Sequence, residues 1–179
     1  MIAAVEADDL ACIVYTSGTT GIPKGARLTH DNVTFTAQSV EKSVFWKPGD
    51  HIFLFLPLAL VFAKTAVFTP LLTGCTLTFS RSIESVAVDL KAAKPHWFPS
   101  VPRIFEKVHS KIIGGAEAKG GAALKIFNWA LQVGLQVSNC KLAGKPIPSM
   151  LELTYKLATK LVFTKIQAAL GGRVRWCIS

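Results

Sequence analysis

The run His51-Ile52-Phe53-Leu54-Phe55-Leu56 constrains the fold more than any other stretch of this chain. A strand with one wet face alternates polar and apolar residues, and this one does not. It reads as a strand buried on both faces, the pattern of a parallel sheet covered by helices. Pro57 ends it, and Leu58 to Leu72 reads as an apolar helix with Lys64 inside. Gly74 closes that helix, and Cys75 to Phe79 is the next strand. Ser82 caps a helix to about Ala93, with Ile83, Val86 and Leu90 inward. Pro95 to Phe98 is a further short strand, and Ser100 caps a helix with Pro102 in its first turn, where proline is tolerated. Strands and helices alternate, so the expected class is α/β, a mostly parallel sheet with flanking helices. The apolar stretch from Ile52 to Ala63 is 12 residues long and broken by Pro57. A membrane span needs about 20 residues.

Upstream, Leu10 to Tyr15 reads as a buried strand, short and rich in apolar residues. It leads into Thr16-Ser17-Gly18-Thr19-Thr20-Gly21-Ile22-Pro23-Lys24-Gly25. Such a loop has little bulk and many donors. Glycines admit close approach of the backbone, successive backbone N–H groups can converge on an anion, and Lys24 adds a mobile positive charge. This chemistry suits a polyphosphate. The G-x-x-x-x-G-K-[ST] pattern fails, because Pro23 stands where its second glycine would be. Such residues also make ordinary surface turns. Ala26 to Thr29 reads as a strand returning from the loop. Asp31 is expected to cap a helix to about Phe45, with Val33, Ala37, Val40 and Val44 as its apolar stripe. Lys47-Pro48-Gly49-Asp50 reads as a turn.

Beyond Gly114 the rhythm changes. Gly114-Gly115 and Gly120-Gly121 bracket a segment expected to be flexible. A helix follows from about Ala122 to Ala143, with Leu124, Phe127, Leu131 and Leu135 on one face. Ser149 and Glu152 read as a capping box. The helix they start runs to about Leu170, with Glu152, Lys156 and Lys160 as an i,i+4 ladder. Gly171-Gly172 stops it, and Arg173 to Ser179 begins a further strand.

The chain of 179 residues has a net charge of +9, unevenly placed. Residues 1–90 hold 6 Lys/Arg and 8 Asp/Glu, a net of −2, whereas residues 91–179 hold 14 and 3, a net of +11. No nucleic-acid motif accompanies the basic half, so an anionic lipid surface against the helices from Lys119 to Lys165 is the partner it suggests. A merely solvated helix face explains those lysines equally well. The cysteines, Cys12, Cys75, Cys140 and Cys177, form no C-x-x-C pair, which points away from a zinc site or disulfide framework and towards a reduced, cytoplasmic setting. The N-terminus lacks the pattern of a signal peptide. The histidines and tryptophans read as structural.

Tyr15 to Gly25 resembles the phosphate-binding signature T-S-G-T-T-G-x-P-K-G of the adenylate-forming superfamily. Leu56-Pro57-Leu58-Ala59-Leu60-Val61-Phe62-Ala63-Lys64 resembles a motif of its long-chain fatty-acid–CoA ligases, as does Pro99-Ser100-Val101-Pro102-Arg103-Ile104-Phe105-Glu106-Lys107-Val108. The basic helical passage fits that group as well. The resemblance covers essentially the whole chain. It implies part of the large AMP-binding domain: an α/β core over 9–113, a basic helical segment over 114–172 and a new strand over 173–179. It implies ATP with Mg2+, and a fatty acid joined to AMP and then to CoA, with no obligate protein partner. Thr16, Ser17, Gly18, Thr19, Thr20, Gly21 and Lys24 would hold the β- and γ-phosphates. Leu60, Phe62, Val101 and Pro102 are candidates for the acyl tunnel wall, although core packing is the stronger reading of such apolar residues. Leu60 stands where the family usually has histidine, and Lys64 where it has arginine. Leucine can neither donate nor accept a hydrogen bond, so a polar role there is lost. The magnesium ligand, the ribose-binding aspartate and the C-terminal domain of the family have no counterpart, which implies an internal piece of a longer enzyme that is inactive alone. A ligase that loads a carrier protein, a nucleotide-binding module without catalysis and a gene fragment without function remain alternatives.

Overall fold

Lys47-Pro48-Gly49-Asp50 is the expected turn: the Asp50 amide donates to the Lys47 carbonyl at 2.9 Å, and Gly49 has φ +82°. Proline then glycine at the two central positions are what a type II turn needs. The turn feeds strand β3 (His51–Leu54), whose Ile52, Phe53 and Leu54 are almost wholly buried. The computed structural model describes residues 4–16, 21–43 and 47–179.

Two strands precede β3. β1 (Leu10–Thr16) and β2 (Lys24–Thr29) pair antiparallel in a sheet of their own. β1 is a strand as expected, but of its residues only Val14 is buried. A two-stranded ribbon has fewer packed neighbours than the central strand of a larger sheet, and apolar composition alone does not distinguish the two. α1 (His30–Ser43) follows. Its cap is Thr29 rather than Asp31. Thr29 Oγ1 accepts from the Asn32 amide at 3.3 Å, and Asn32 Oδ1 accepts from the Thr29 amide at 3.1 Å. Asp31 lies within the first turn, where its charge favours the positive helix end. Of the expected stripe, Ala37 is buried, Val33 and Val40 are partly so, and Val44 lies outside the described residues.

After β3 the chain alternates as expected: α2 (Val61–Thr73), β4 (Thr76–Phe79), α3 (Val86–Ala93), β5 (Trp97–Pro99) and, at the end of the chain, β6 (Trp176–Ile178). β3 is shorter than the apolar run and α2 starts later than Leu58, because Pro57 and Leu60 close a turn between them, with the Leu60 amide donating to the Pro57 carbonyl. Gly74 ends α2 in the left-handed region, at φ +67°. α3 also starts late, and Ile83 is exposed rather than inward, while Leu90 is buried. The sheet order is β4-β3-β5-β6, with every pair parallel. Trp97 and Trp176 are register partners and stack at 4.7 Å between ring centroids.

These elements, residues 1–99 with 175–178, form one compact unit; residues 100–174 form most of a second. The second is helical. α4 (Pro102–Glu117) opens with proline at its first position, and Ser100 makes no capping bond. Gly114 and Gly115, expected to be flexible, lie within this helix; the break comes at Gly120 and Gly121, with φ +56° and +52°. In α5 (Gly121–Leu142) the buried face is Phe127, Ala130, Val133 and Val137, rotated from the expected one, and Leu135 is exposed. α6 (Ser149–Ala158) lacks the capping bond expected from Ser149, and Glu152 Oε1 meets Lys156 Nζ at 2.9 Å instead. One π-helical turn, Thr159–Phe163, links α6 to α7 (Thr164–Ala169). Gly134 accommodates that turn: a Cβ there would lie 3.0 Å from Phe163 Cζ.

Candidate functional site

The phosphate-loop candidate is the tip of the β1–β2 hairpin. The register runs from Leu10 opposite Thr29 to Tyr15 opposite Gly25 and Thr16 opposite Lys24. Thr16 and Lys24 therefore close the hairpin as its last pair, both exposed. Ser17, Gly18, Thr19 and Thr20 lie outside the described residues. Gly21 is exposed at φ +80°, a conformation that favours glycine.

Gly25 shows why the end of the motif carries no side chain. A Cβ there would lie 2.9 Å from Ile13 Cγ2 and 3.3 Å from Tyr15 Cε1. Tyr15, opposite in the ladder, covers the space that a side chain at 25 would need. The strands at the tip are thus fixed by packing as well as by the backbone ladder, and Thr16 and Lys24 inherit that register. No helix begins directly after the loop; β2 intervenes before α1. An anion at this tip would be met by loop donors, the Thr16 hydroxyl and the Lys24 ammonium, without the field of a helix end. Among the described residues no three His, Cys, Asp or Glu side chains gather as metal ligands.

The acyl candidates fall elsewhere. Leu60 is extended at the N-cap of α2 and about half exposed, and Phe62 in the first turn is partly buried. In the second unit, Val101 is the partly buried N-cap of α4, and Pro102 is exposed at its first position. Chain order gives Leu60 its interest. From β3 the chain moves outward to β4, then crosses back to β5 and outward again to β6. The direction of winding reverses between β3 and β5, and ligands of open parallel sheets bind beyond the carboxyl ends at such a reversal. Leu60 follows the carboxyl end of β3. Within the first unit, α1 packs on both the hairpin and α2 and so spans between the two candidate regions.

At the opposite ends of the strands sits a polar cluster that the sequence did not reveal. Asp50, 4% exposed, accepts from the Lys47 amide at 3.0 Å and from Arg175 Nη2. His96 Nδ1 lies 3.5 Å from Asp50 Oδ1, but it accepts the His51 amide at 2.9 Å. An acceptor nitrogen carries no proton, so this contact is not an ion pair. The His96 amide donates to the His51 carbonyl and the Arg175 amide to the His96 carbonyl, each at 2.8 Å. The cluster ties β3, β5 and β6 together at their amino ends. Its members are 125 positions apart in sequence, and no spacing rule would join them.

The AMP-binding enzyme family model matches residues 1–167. The chain is 34% identical over 177 residues to the human long-chain-fatty-acid–CoA ligase ACSBG2, covering 96% of this chain and 26% of that protein. It is 33% identical over 180 residues to the long-chain-fatty-acid–CoA ligase FadD15 of Mycobacterium tuberculosis, covering 99% and 30%. This chain thus spans about a quarter to a third of those relatives. Among solved structures it is similar to the N-terminal domain of FACL13 from M. tuberculosis, with a TM-score of 0.54 and 30% identity over 59% of this chain and 27% of that one. The adenylation domain of a carboxylate reductase from Mycobacterium chelonae shares the fold over 96% of this chain and 23% of its own, with a TM-score of 0.67 at 20% identity. With the parallel sheet and the glycine-rich hairpin in place, the chain belongs to the AMP-binding enzyme family.

Proposed function

We propose that the hairpin tip from Tyr15 to Gly25 holds the β- and γ-phosphates of ATP, in a protein that activates a long-chain fatty acid as its adenylate and passes it to CoA. The observation that carries this is the closing pair. Thr16 and Lys24 stand opposite each other at the end of a fixed ladder, with left-handed Gly21 between them in sequence. A hydroxyl donor, an ammonium and a loop of small residues match a polyphosphate and suit few other ligands. The named relatives support the acid and the acceptor. O-succinylbenzoate CoA synthetase from Bacillus subtilis, solved in complex with ATP and magnesium ion, is 25% identical to this chain over 60% of its length, with a TM-score of 0.53, and supports the nucleotide.

In this reading Lys24 offsets the charge that builds as pyrophosphate departs, and Thr16 donates to a phosphate oxygen. Together they hold the chain of phosphates so that the α-phosphorus faces the attacking carboxylate oxygen. Magnesium bound with the nucleotide supplies further neutralisation. Leu60 and Phe62 line the acyl path beyond β3; Val101 and Pro102, in the second unit, are acyl candidates on the family resemblance alone. The test is titration of the chain with ATP and with inorganic tripolyphosphate. Lys24→Ala is expected to weaken both by about tenfold or more, the cost of one charge-assisted contact. Equal affinities in wild type, Lys24→Ala and Thr16→Ala would return the tip to an ordinary surface turn.

A further inference from the structure

The second unit contains a groove of about 440 Å3 between α4, α5, the π-helical turn and α7. Ile126 and Phe127 of α5 and Val162 of the π turn give it an apolar surface, and Gly115, Ala116 and Ala123 add little bulk. Its charged residues are all of one sign: Lys111 from α4, Lys119 from the α4–α5 connection and Lys165 from α7, with no acidic side chain in the lining. Among the described residues none of the three lysines is held in an ion pair. One further observation bears on the groove. α4 is amphipathic, yet none of its 16 residues is buried. A helix in a protein takes most of its stability from packing of its apolar face, and α4 lacks that cover.

We propose that this groove docks an acidic amphipathic α-helix of a partner protein. The shape selects a helix. A trough bounded by helices offers no free strand edge, so an extended peptide laid in it would leave its backbone N–H and C=O groups without partners over an apolar surface. A helix satisfies those groups within itself and presents apolar side chains at i, i+3, i+4 and i+7. The small residues of the lining let its backbone come close. The charge selects the sign. Lysines from three separate segments surround the apolar surface, complementary to glutamates or aspartates that flank the apolar face of the incoming helix. Residues 100–174 hold 11 Lys/Arg and 3 Asp/Glu, a net of +8, so a second copy of the chain is repelled. A flat lipid surface fits less well: Phe127 is 8% exposed while the three lysines are exposed, so the head groups would rest on the lysines without the hydrocarbon reaching the ring.

Fluorescence anisotropy of the 179-residue chain with a labelled peptide of about five helical turns tests the site. The peptide carries leucine at i, i+3, i+4 and i+7 and glutamate on both sides of that face. It is expected to bind and to gain helical circular dichroism as it does. A scrambled peptide of the same composition, and a version with lysine for glutamate, should each bind about tenfold more weakly or worse. Ile126 is 43% exposed, so Ile126→Glu leaves folding intact while placing a carboxylate on the apolar surface; it should abolish binding. Lys119→Glu with Lys165→Glu should weaken the glutamate peptide about tenfold and strengthen the lysine peptide, a reversal that misfolding cannot produce. Equal binding of the scrambled peptide, or binding that survives Ile126→Glu, overturns the proposal. So does a dimer in sedimentation that Ile126→Glu dissociates, which would give the groove to a second copy. Co-sedimentation with phosphatidylserine vesicles that is lost in the double lysine variant but kept in Ile126→Glu overturns it too, by giving these lysines to a membrane surface.

Discussion

Gly25 has no room for a methyl group. The Ile13 and Tyr15 side chains lie over the place where its Cβ would be, at 2.9 and 3.3 Å. Gly25→Ala must push one of them aside, and overpacking of this kind costs about 1–3 kcal/mol. For a chain of this size that lowers the midpoint of thermal unfolding by about 2–8 °C. The same variant should weaken ATP binding, since Thr16 and Lys24 take their register from the pair beside them. Calorimetry and ATP titration on one preparation check both. An unchanged melting curve would mean that Tyr15 does not cover Gly25 in solution. The sequence offers a polyphosphate reading of the loop from composition alone, with three glycines, four hydroxyls and a lysine within a few residues. The reason for Gly25 was not legible there. It depends on which residue stands opposite, and register appears only once the hairpin is closed.

Elements are held by short polar links, and the sequence showed these unevenly. The turn before β3 was legible, since proline and glycine select a turn type by backbone geometry alone. Capping boxes were not. Thr29 and Asn32 form one; Ser149 and Glu152 do not, because Glu152 is engaged by Lys156 a turn later. A four-residue pattern shows that a bond can form, not which partner wins. Asp89 at α3 is a stronger case. It accepts from Ser80 Oγ at 3.1 Å, the Arg81 amide at 3.0 Å, Arg81 Nε at 2.9 Å and Ser85 Oγ at 2.7 Å. The Arg81 guanidinium first, then the Ser85 hydroxyl and the Arg81 amide, hold its carboxyl well below the usual carboxylate range. A carboxyl depressed in the folded state stabilises it fully above the unfolded value near ~3.9 and loses that contribution as pH falls through the folded value. Wild type should therefore melt above Asp89→Asn at pH 7, with the gap narrowing as pH is lowered from 4 to 2. A gap independent of pH would show that the charge contributes nothing. Asp50→Ala removes the acceptor shared by Arg175 and the Lys47 amide, and urea unfolding should show a loss of about 2–3 kcal/mol.

For the molecule as a whole, the alternation of elements carried the class: β3 and β5 are buried, largely apolar runs, and β3, β4 and β5 are each followed by a helix. What alternation did not carry was which strands adjoin. Order β4-β3-β5-β6 and the separate β1–β2 ribbon are settled by packing between residues far apart. The 179-residue chain alone should form no palmitoyl-CoA from palmitate, ATP, magnesium and CoA above a Lys24→Ala control. The role proposed for the hairpin is to hold phosphates, while adenylation also needs groups that orient the ribose, and thioester formation needs a path for the thiol. Product above the control would show that this portion of the family fold suffices for the reaction. The Asp50–Arg175 pair also sets a timetable. During synthesis β3, β4 and β5 leave the ribosome long before β6, and the Asp50 carboxylate has no arginine until 125 more residues have been made. Through that interval Trp97 lacks the indole it stacks on, and the edge of β5 stays open. β6 can join the sheet only after residues 100–174 have been made, and pairing across so long a separation is intrinsically slow and leaves the β5 edge open to aggregation in the meantime.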